Sequence, residues 1–448
     1  MPHQITTELP VVVIGAGPSG LAAAAHLRSR DVDVLVLESG PAAGATVSQW
    51  GHVRLFSAWS ELIDPAAEKL LIDAGWTAPS AKRYPTGAEW VADYLQPLAE
   101  ALGDSVRFGT KVTSVAKQSR DRLVSSGRDE APFTIHTRTV DGAGHIQARA
   151  VVDASGTWTG PNPLGGDGVT AIGEAEAADR ISYRIPDLRN ESDRARYAGK
   201  HVVVAGTGAS AKGALIGLTA LAKDEPETRV TWLVRRATVG AAFSGGGQDE
   251  LPERGALGQL AQAAVTEGPV TTLNGFRTAE IGHGPDGRLR IESFDGQVVD
   301  GIDEVIVLTG FRPDLDILSE IRLDLDPVLQ APRQLAPLID PNEHSCGTVY
   351  PHGAKELAQP EAGFYLVGMK SYGRATSFLA LTGFEQTRSV AAAIAGDHEA
   401  AARVELTLPE TGVCGGSGLF DDDSADAGGC CGTASEPELL TLGRPGVQ

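Results

Sequence analysis

Val11-Val12-Val13-Ile14-Gly15-Ala16-Gly17-Pro18-Ser19-Gly20 is the stretch from which the fold of this 448-residue chain is read. Four consecutive β-favouring apolar residues describe a strand buried on both faces. Three glycines in the order GxGxxG describe a tight turn, and the run from Leu21 to Arg30 is helical in pattern. A second strand, Val32 to Leu37, ends at Glu38, 23 positions after Gly15 and close to the roughly 20 expected for an acid that accepts hydrogen bonds from a ribose. A pyrophosphate needs donors without bulk: glycine lets the backbone approach, and a helix N-terminus offers unpaired N–H groups and the positive end of its dipole. Gly15, Gly17, Pro18, Ser19, Gly20 and Glu38 are therefore candidate nucleotide contacts.

Outward from this unit, a Trp- and Ala-rich region spans Thr46 to Trp90. A helix is expected around Ala88 to Ala101 and a strand near Val106. Val112 to Lys117, Phe133 to Val140 and His145 to Val152 alternate apolar and polar residues and predict an antiparallel meander ending in Asp153-Ala154-Ser155-Gly156. The pattern then repeats. His201 to Ala205 is a strand, Gly206-Thr207-Gly208-Ala209-Ser210-Ala211 a second glycine turn, Lys212 to Ala222 a helix, and Arg229 to Val234 a strand. Phe276 to Gly282, Arg288 to Phe294 and Gln297 to Val299 predict a second meander, leading to Val305-Ile306-Val307-Leu308-Thr309-Gly310. The expectation is an α/β protein with two Rossmann-like dinucleotide-binding domains, each carrying a β-meander. A short return strand, Gly363 to Gly368, and a helix from Phe384 to Ala395 follow.

The second turn differs from the first in what closes its second strand. Instead of an acid stand Arg235 and Arg236, and paired guanidinium groups complement a 2′-phosphate where a carboxylate would repel it. This favours NADPH over NADH. The pair lies 29 residues after Gly206, a long interval, and a solvated basic pair on a surface loop is the alternative.

Composition narrows the class further. Thirty-eight basic against 58 acidic residues give a net charge of −20, which disfavours nucleic acid or an anionic membrane as partner. The uncharged run Leu9 to Leu27 contains three glycines and two prolines, unlike a membrane span. The four cysteines, Cys346, Cys414, Cys430 and Cys431, all lie in the last quarter, so no secreted disulfide framework is expected and the cytoplasm is the default compartment. Beyond about Pro409 the chain is acidic and rich in Gly, Ser and Asp, a composition expected to stay flexible.

Together these residues resemble the two-dinucleotide-domain flavoproteins, the group that includes thioredoxin reductase and the flavin-containing monooxygenases, over about residues 9–400. The resemblance implies FAD on the first fingerprint and NADPH on the second, the latter with Gly206, Gly208, Ala209 and Ser210 at its pyrophosphate. It implies Val112 near the adenine, and Ala154, Ser155 and Gly156 at the first crossing between domains. Thr309-Gly310-Phe311-Arg312-Pro313-Asp314 would form the second crossing, and Gly368 with the following helix the segment along the flavin's ribityl and pyrimidine edge. It divides the chain into 1–160 (FAD domain, first part), 161–303 (linker and NADPH domain), 304–400 (FAD domain, second part) and 401–448 (tail). A homodimer is implied by the resemblance alone.

Two departures bear on the subclass. No C-x-x-C pair exists, which disfavours relay to an internal disulfide. The FxGxxxHxxxW signature of many flavin monooxygenases is also missing; the equivalent stretch reads Ile181-Ser182-Tyr183-Arg184-Ile185-Pro186-Asp187. More locally, Trp50 to Ser57, Cys346-Gly347 to Pro351-His352-Gly353 and the cysteine-bearing acidic tail resemble the flavin-dependent monooxygenases of bacterial arsenic-resistance gene clusters. That resemblance implies an NADPH-reduced flavin, molecular oxygen activated as a C4a-hydroperoxide, and a small substrate with a soft centre: trivalent arsenic, sulfur or nitrogen.

Flavin-proximal candidates are Trp50, with Phe56 and Trp59 as further walls, Arg54 as a charge stabiliser, and Lys370, Ser371 or Tyr372 as ring partners. Ordinary packing, a surface arginine and a solvated loop are the respective alternatives. Thiolates are soft ligands, so Cys430-Cys431 with Cys346 or Cys414 are candidate metalloid ligands, against an inert tail; no zinc-type spacing is present. Two other readings stay open: a thioredoxin-reductase-like reductase using Cys430 and Cys431 as an exchangeable dithiol, and a non-catalytic metalloid or redox sensor retaining FAD.

Overall fold

The structure, a computed structural model, describes residues 9–243, 252–341, 351–375 and 378–406. Its strands, in chain order, are β1 (Val11–Ile14), β2 (Val34–Leu37), β3 (Val106–Arg107), β4 (Lys111–Lys117), β5 (Phe133–Thr139), β6 (Gly142–Ala148), β7 (Ala150–Asp153) and β8 (Ile181–Ser182). They continue with β9 (His201–Ala205), β10 (Arg229–Val234), β11 (Val270–Asn274), β12 (Thr278–His283), β13 (Leu289–Ser293), β14 (Val298–Ile302), β15 (Glu304–Val307) and β16 (Phe364–Leu366). Two parallel five-stranded sheets, ordered β16-β7-β1-β2-β3 and β11-β10-β9-β15-β8, form the centres of two α/β domains. Two antiparallel sheets, β4-β5-β6 and β12-β13-β14, are the meanders.

The two parallel sheets repeat one plan, with different sources for the outer strand. In the first it is β16, the return segment from the far end of the chain; in the second it is β8, supplied by the linker that precedes the domain. Continuous apolar runs suit these central strands because both faces are covered. Val11 and Val13 face the helical layer with Leu21 and Leu27, whereas Val12 and Ile14 face the meander side with Phe133 and Ile135. The same split recurs in β9, with Val202 and Val204 on one face and Val203 and Ala205 on the other. Each such fully buried valine contributes about 1.5–3 kcal/mol of transfer free energy.

Two of the expected elements are broken into pieces. The segment His145 to Val152 is not one strand: it breaks at Arg149, with β6 completing the meander and β7 joining the parallel sheet beside β1. The alternation that marks a half-exposed strand gives way to Ala150-Val151-Val152, buried on both faces, and that change of period is the boundary. The expected Ala88–Ala101 helix is instead Gly87–Trp90, a wide π-turn at Val91–Leu95, then Gln96–Leu102. Pro97 supplies the reason, since it has no N–H for the Asp93 carbonyl four residues earlier; the Trp76 indole N–H takes that place at 2.8 Å.

Among the described residues no helix is long and apolar enough to cross a membrane. Of the expected tail, Ala401 and Ala402 belong to a short helix, His398–Ala402, and everything from residue 407 lies outside the described residues.

Candidate active site

Both glycine turns sit at the carboxyl ends of their sheets, and each backs onto the crossing strand beside it. Gly15 has φ +99°, and a β-carbon there would lie 3.0 Å from the Ala154 carbonyl oxygen and 3.2 Å from Ser155 Cα. Gly206 has φ +120°, and its β-carbon would meet the Leu308 carbonyl oxygen at 2.2 Å and the Thr309 nitrogen at 3.3 Å. The first fingerprint is thus brought together with Ala154 and Ser155, and the second with Thr309. Thr309 and Gly310 are themselves tied to Asn162 by the Thr309 hydroxyl donating to the Asn162 carbonyl (3.0 Å) and the Asn162 N–H donating to the Gly310 carbonyl (2.9 Å).

The geometry fits two dinucleotides. Gly17 and Gly208 are the N-caps of the Pro18–Arg28 and Ala209–Asp224 helices, neither offers a side-chain cap, and a β-carbon at either would meet nothing within 4 Å. First-turn N–H groups therefore face open space, with room for an anion. Gly20 and Ala211 do a different job, close helix–strand packing: a β-carbon on Gly20 would stand 1.9 Å from the Gly15 carbonyl oxygen, and Ala211 is fully buried. Glu38 is buried with its carboxylate turned onto the turn itself, accepting the Ala16 N–H at 2.7 Å and the Gly40 N–H at 2.6 Å. Val112 places its side chain in the core beneath β1 and β2, so only its main chain is available to an adenine.

Gly368 opens a short 3-10 turn, Gly368–Tyr372, with φ +66° and its Cα face against Ser19, whose Oγ would be 2.6 Å from a β-carbon at Gly368. The Gly368 N–H donates to Gln386 Oε1 at 2.7 Å. The Gln386 amide donates to Ser371 Oγ at 2.9 Å and faces His352 Nε2 at 2.8 Å. Lys370 is not on a solvated loop. It is 1% exposed, paired with the fully buried Asp153 at 2.7 Å and donating to Ser155 Oγ at 3.0 Å, while Ser155 Oγ donates to the other Asp153 oxygen at 2.6 Å. The last strand's turn is thereby locked to the first crossing.

The remaining aromatic and basic candidates are placed differently. Tyr372 is fully buried, its ring 4.9 Å from Phe378 and 5.7 Å from His352, and burial pushes its hydroxyl well above the usual tyrosine range. Trp59 is a core residue. Trp50 is half-buried against Gly87, where a β-carbon would stand 2.8 Å from its ring, and the exposed Arg54 donates to the Tyr84 carbonyl. Trp50 and Arg54 thus contact the segment around 84–87.

Arg235 and Arg236 follow β10, and among the described residues neither is paired with a carboxylate. Crowding by protein and then the like charge of Arg277 hold Arg235 below the usual arginine range; Arg236 is lowered by burial and then by Arg235. Arg277, which the motif reading did not single out, is brought there by the turn after β11: Gly275 N–H donates to the Arg236 carbonyl (2.8 Å) and Phe276 N–H to Val234 (3.0 Å).

Also unforeseen is a stack at the junction: Trp158 lies 4.8 Å from Phe311, Arg184 covers Trp158 at 5.1 Å, and the Trp158 indole donates to Gln49 at 3.0 Å. Neither Trp158 nor Phe311 belongs to a periodic pattern; Phe311 stands inside the second crossing motif, and the signal for Trp158 is an aromatic two residues after the first. Cys346, Cys414, Cys430 and Cys431 lie outside the described residues. Among those described, no group of three His, Cys, Asp or Glu is placed to hold a metal.

Comparison with known proteins gives this geometry a family. The chain is 30% identical over 199 residues to indole-3-pyruvate monooxygenase YUCCA1 of Oryza sativa, covering 44% of this chain and 42% of that protein. It is 25% identical over 320 residues to a ferredoxin–NADP reductase of Halalkalibacterium halodurans, covering 70% and 77%. The chain spans less than half the length of the YUCCA1 relative and of a similar flavin-containing monooxygenase from Arabidopsis thaliana. Among solved structures, bacillithiol disulfide reductase from Bacillus cereus superposes with a TM-score of 0.64 at 20% identity, over 87% of this chain and 99% of that one. A flavin-containing monooxygenase from Stenotrophomonas maltophilia does so with a TM-score of 0.53 at 21% identity, over 87% and 98%. These likenesses bear out the two-domain, thioredoxin-reductase-like fold. The model of the pyridine nucleotide-disulphide oxidoreductase family matches residues 12–347, three quarters of the chain, and the chain belongs to that family.

Proposed function

We propose that this oxidoreductase is an FAD-dependent, NADPH-consuming monooxygenase that oxygenates a small soft centre, with trivalent arsenic as the favoured substrate and sulfur or nitrogen compounds as the others. The observation that carries the two-nucleotide reading is the pair of uncapped helix N-termini at Gly17 and Gly208, each open where a side chain would otherwise stand. FAD, when bound, would supply the redox chemistry between NADPH and oxygen. Gly15, Gly17, Pro18, Ser19 and Gly20 would hold its pyrophosphate. Glu38, freed in part from Ala16 and Gly40, would hold its ribose, and Gly156 and Gly368 would line the cleft. Gly206, Gly208, Ala209 and Ser210 would hold the NADPH pyrophosphate, with Arg235 and Arg236 on its 2′-phosphate.

The chain's own groups then orient and enclose. The buried Lys370–Asp153 pair, to which Ser155 is bonded, fixes the floor between first crossing and last strand. The exposed Ser155 is the member of that cluster able to reach a ligand. The arsenic reading rests on the resemblance of Trp50 to Ser57, Cys346 to Gly353 and the cysteine-bearing tail to arsenic-resistance monooxygenases, and monooxygenase relatives support the oxygenation step. The ferredoxin–NADP reductase match, over most of the chain, favours one second reading: a reductase that passes NADPH electrons to another acceptor, the tail dithiol Cys430-Cys431 included.

Oxygen uptake separates the two. With NADPH and arsenite the monooxygenase consumes one O2 per NADPH and continues to do so in the Cys430→Ser, Cys431→Ser double variant. Turnover that ignores oxygen and dies with the two cysteines would establish the reductase instead.

A further inference from the structure

The two glycine turns differ at their third small residue. In the first turn a β-carbon on Gly20 would stand 1.9 Å from the Gly15 carbonyl oxygen, far inside contact distance, so that carbonyl can point at the helix only because residue 20 is glycine. The second turn carries Ala211 at the matching position, and its methyl is fully buried. The Gly206 carbonyl therefore cannot lie where the Gly15 carbonyl does. Two distances record where the turn has gone. Gly15 N–H donates to the Leu37 carbonyl at 2.8 Å, whereas the matching bond from Gly206 to Leu233 is stretched to 3.5 Å. A β-carbon on Gly15 would be 3.0 Å from the Ala154 carbonyl oxygen, but one on Gly206 would be 2.2 Å from that of Leu308. The second turn stands farther from β10 and closer to the end of β15.

The displaced carbonyl has a partner that the first turn lacks: the Trp232 indole N–H donates to it at 2.7 Å. Trp232 pairs with Val204 in the sheet register as Val36 pairs with Val13, so its counterpart in the first domain is Val36, a side chain with nothing to donate. Trp232 is fully buried, its ring 5.8 Å from Phe243. A buried indole needs an acceptor and a displaced carbonyl needs a donor, and this one bond satisfies both. The start of the helix is preserved despite the shift: Gly17 has φ −82° and ψ −174°, and Gly208 has φ −74° and ψ −179°.

We infer that Trp232 stands in for the missing third glycine: it holds the Gly206 carbonyl where the Ala211 methyl forces it, and so keeps the free N–H groups at the Gly208 N-cap aimed as those at Gly17 are. Trp232 is thereby a positioning residue for the second nucleotide, acting through the turn and touching no part of the ligand. The inference rests on the reading that this turn binds NADPH, but the exchange of glycine for indole is measurable without any nucleotide.

Calorimetric titration of NADP+ into the full chain and into its Trp232→Phe, Ala211→Gly and double variants tests it, with FAD content and urea midpoints read on the same proteins. Trp232→Phe keeps an aromatic ring beside Phe243 and removes the donor; it is expected to weaken NADP+ at least tenfold and leave FAD content unchanged. Ala211→Gly alone stays within threefold of the parent. In the double variant the carbonyl can turn back toward the helix, and affinity recovers to within threefold of the parent. Urea midpoints without nucleotide follow the same pattern, Trp232→Phe lowering the midpoint more in the parent than in the Ala211→Gly background. Parent-like binding in Trp232→Phe, or an equal loss in the single and double variants, would overturn the inference. If Trp232→Phe does not fold alone, the double variant is expected to fold and bind; failure of both would also overturn it. A parent that binds no NADP+ while the urea midpoints show the coupling would leave the glycine-for-indole exchange standing and remove the NADPH reading. Urea midpoints without coupling would overturn the inference whatever the nucleotide does.

Discussion

At the scale of single residues, the two glycine turns make separable demands. Gly20→Ala forces a β-carbon onto the Gly15 carbonyl, and Gly206→Ala places one against Leu308 while straining a φ of +120°. Gly20→Ala protein is expected to purify with less than a tenth of the flavin of the parent. Gly206→Ala protein should keep its flavin and lose NADPH affinity at least tenfold; absorption at purification and NADPH titration read the two effects. Lys370 makes the opposite kind of demand. Lys370→Met strands the Asp153 carboxylate in the core, at a cost of about 3–5 kcal/mol in urea unfolding, and adding Asp153→Asn should recover much of it. An equal loss in single and double variants would contradict the pairing. His201, buried and bonded to Thr231 Oγ1 (2.8 Å) and the Gly301 carbonyl (3.0 Å), is held below its ordinary pKa by desolvation. The unfolded chain therefore takes up the proton first. Stability from the neutral ring is complete above about pH 6.5 and declines as pH falls from there toward the lowered folded value. The parent should lose more stability between pH 7.5 and 5.5 than His201→Gln, measured by urea midpoints.

At the scale of elements, the ends of the central strands set the chemistry. β2 closes on an acid and β10 on two arginines, with Arg277 delivered by the next turn. Arg235→Ala with Arg236→Ala should raise the KM for NADPH at least tenfold and leave that for NADH within twofold; parallel changes for both would remove the 2′-phosphate role. The stack of Trp158 on Phe311 joins the two crossing segments, and a double-alanine cycle on it should return a coupling of about 0.5–1.5 kcal/mol. Most of these elements were legible in sequence because glycine spacing, apolar runs and strand-end charges are local signals. Less legible were features made by distant partners. Lys370 looks like a loop residue until Asp153, 217 positions away, is placed beside it, and the Pro97 π-turn depends on an indole donated by Trp76. The split of His145 to Val152 was readable in principle, since alternation ends where Ala150-Val151-Val152 begins.

At the scale of the whole molecule, the two domains are copies of one plan whose fifth strands come from opposite directions along the chain: β8 precedes the rest of its sheet, so the second domain is one continuous run, whereas β16 returns from beyond it, so the first is built from two separate segments. Return of β16 to β7 brings Gly368 onto Ser19 and Lys370 onto Asp153, so the surroundings of the first glycine turn, where we propose the flavin binds, are complete only once that return is made. The central claim is that this site holds a flavin which a second, separately bound nucleotide reduces. Anaerobic mixing of the purified full chain with NADPH, followed at 450 nm, tests it most directly. The account predicts a yellow protein whose band bleaches at a rate matching turnover, far faster with NADPH than with NADH, and returns when oxygen is admitted. A colourless protein that takes up no FAD, or a yellow one that NADPH leaves unchanged, would contradict it.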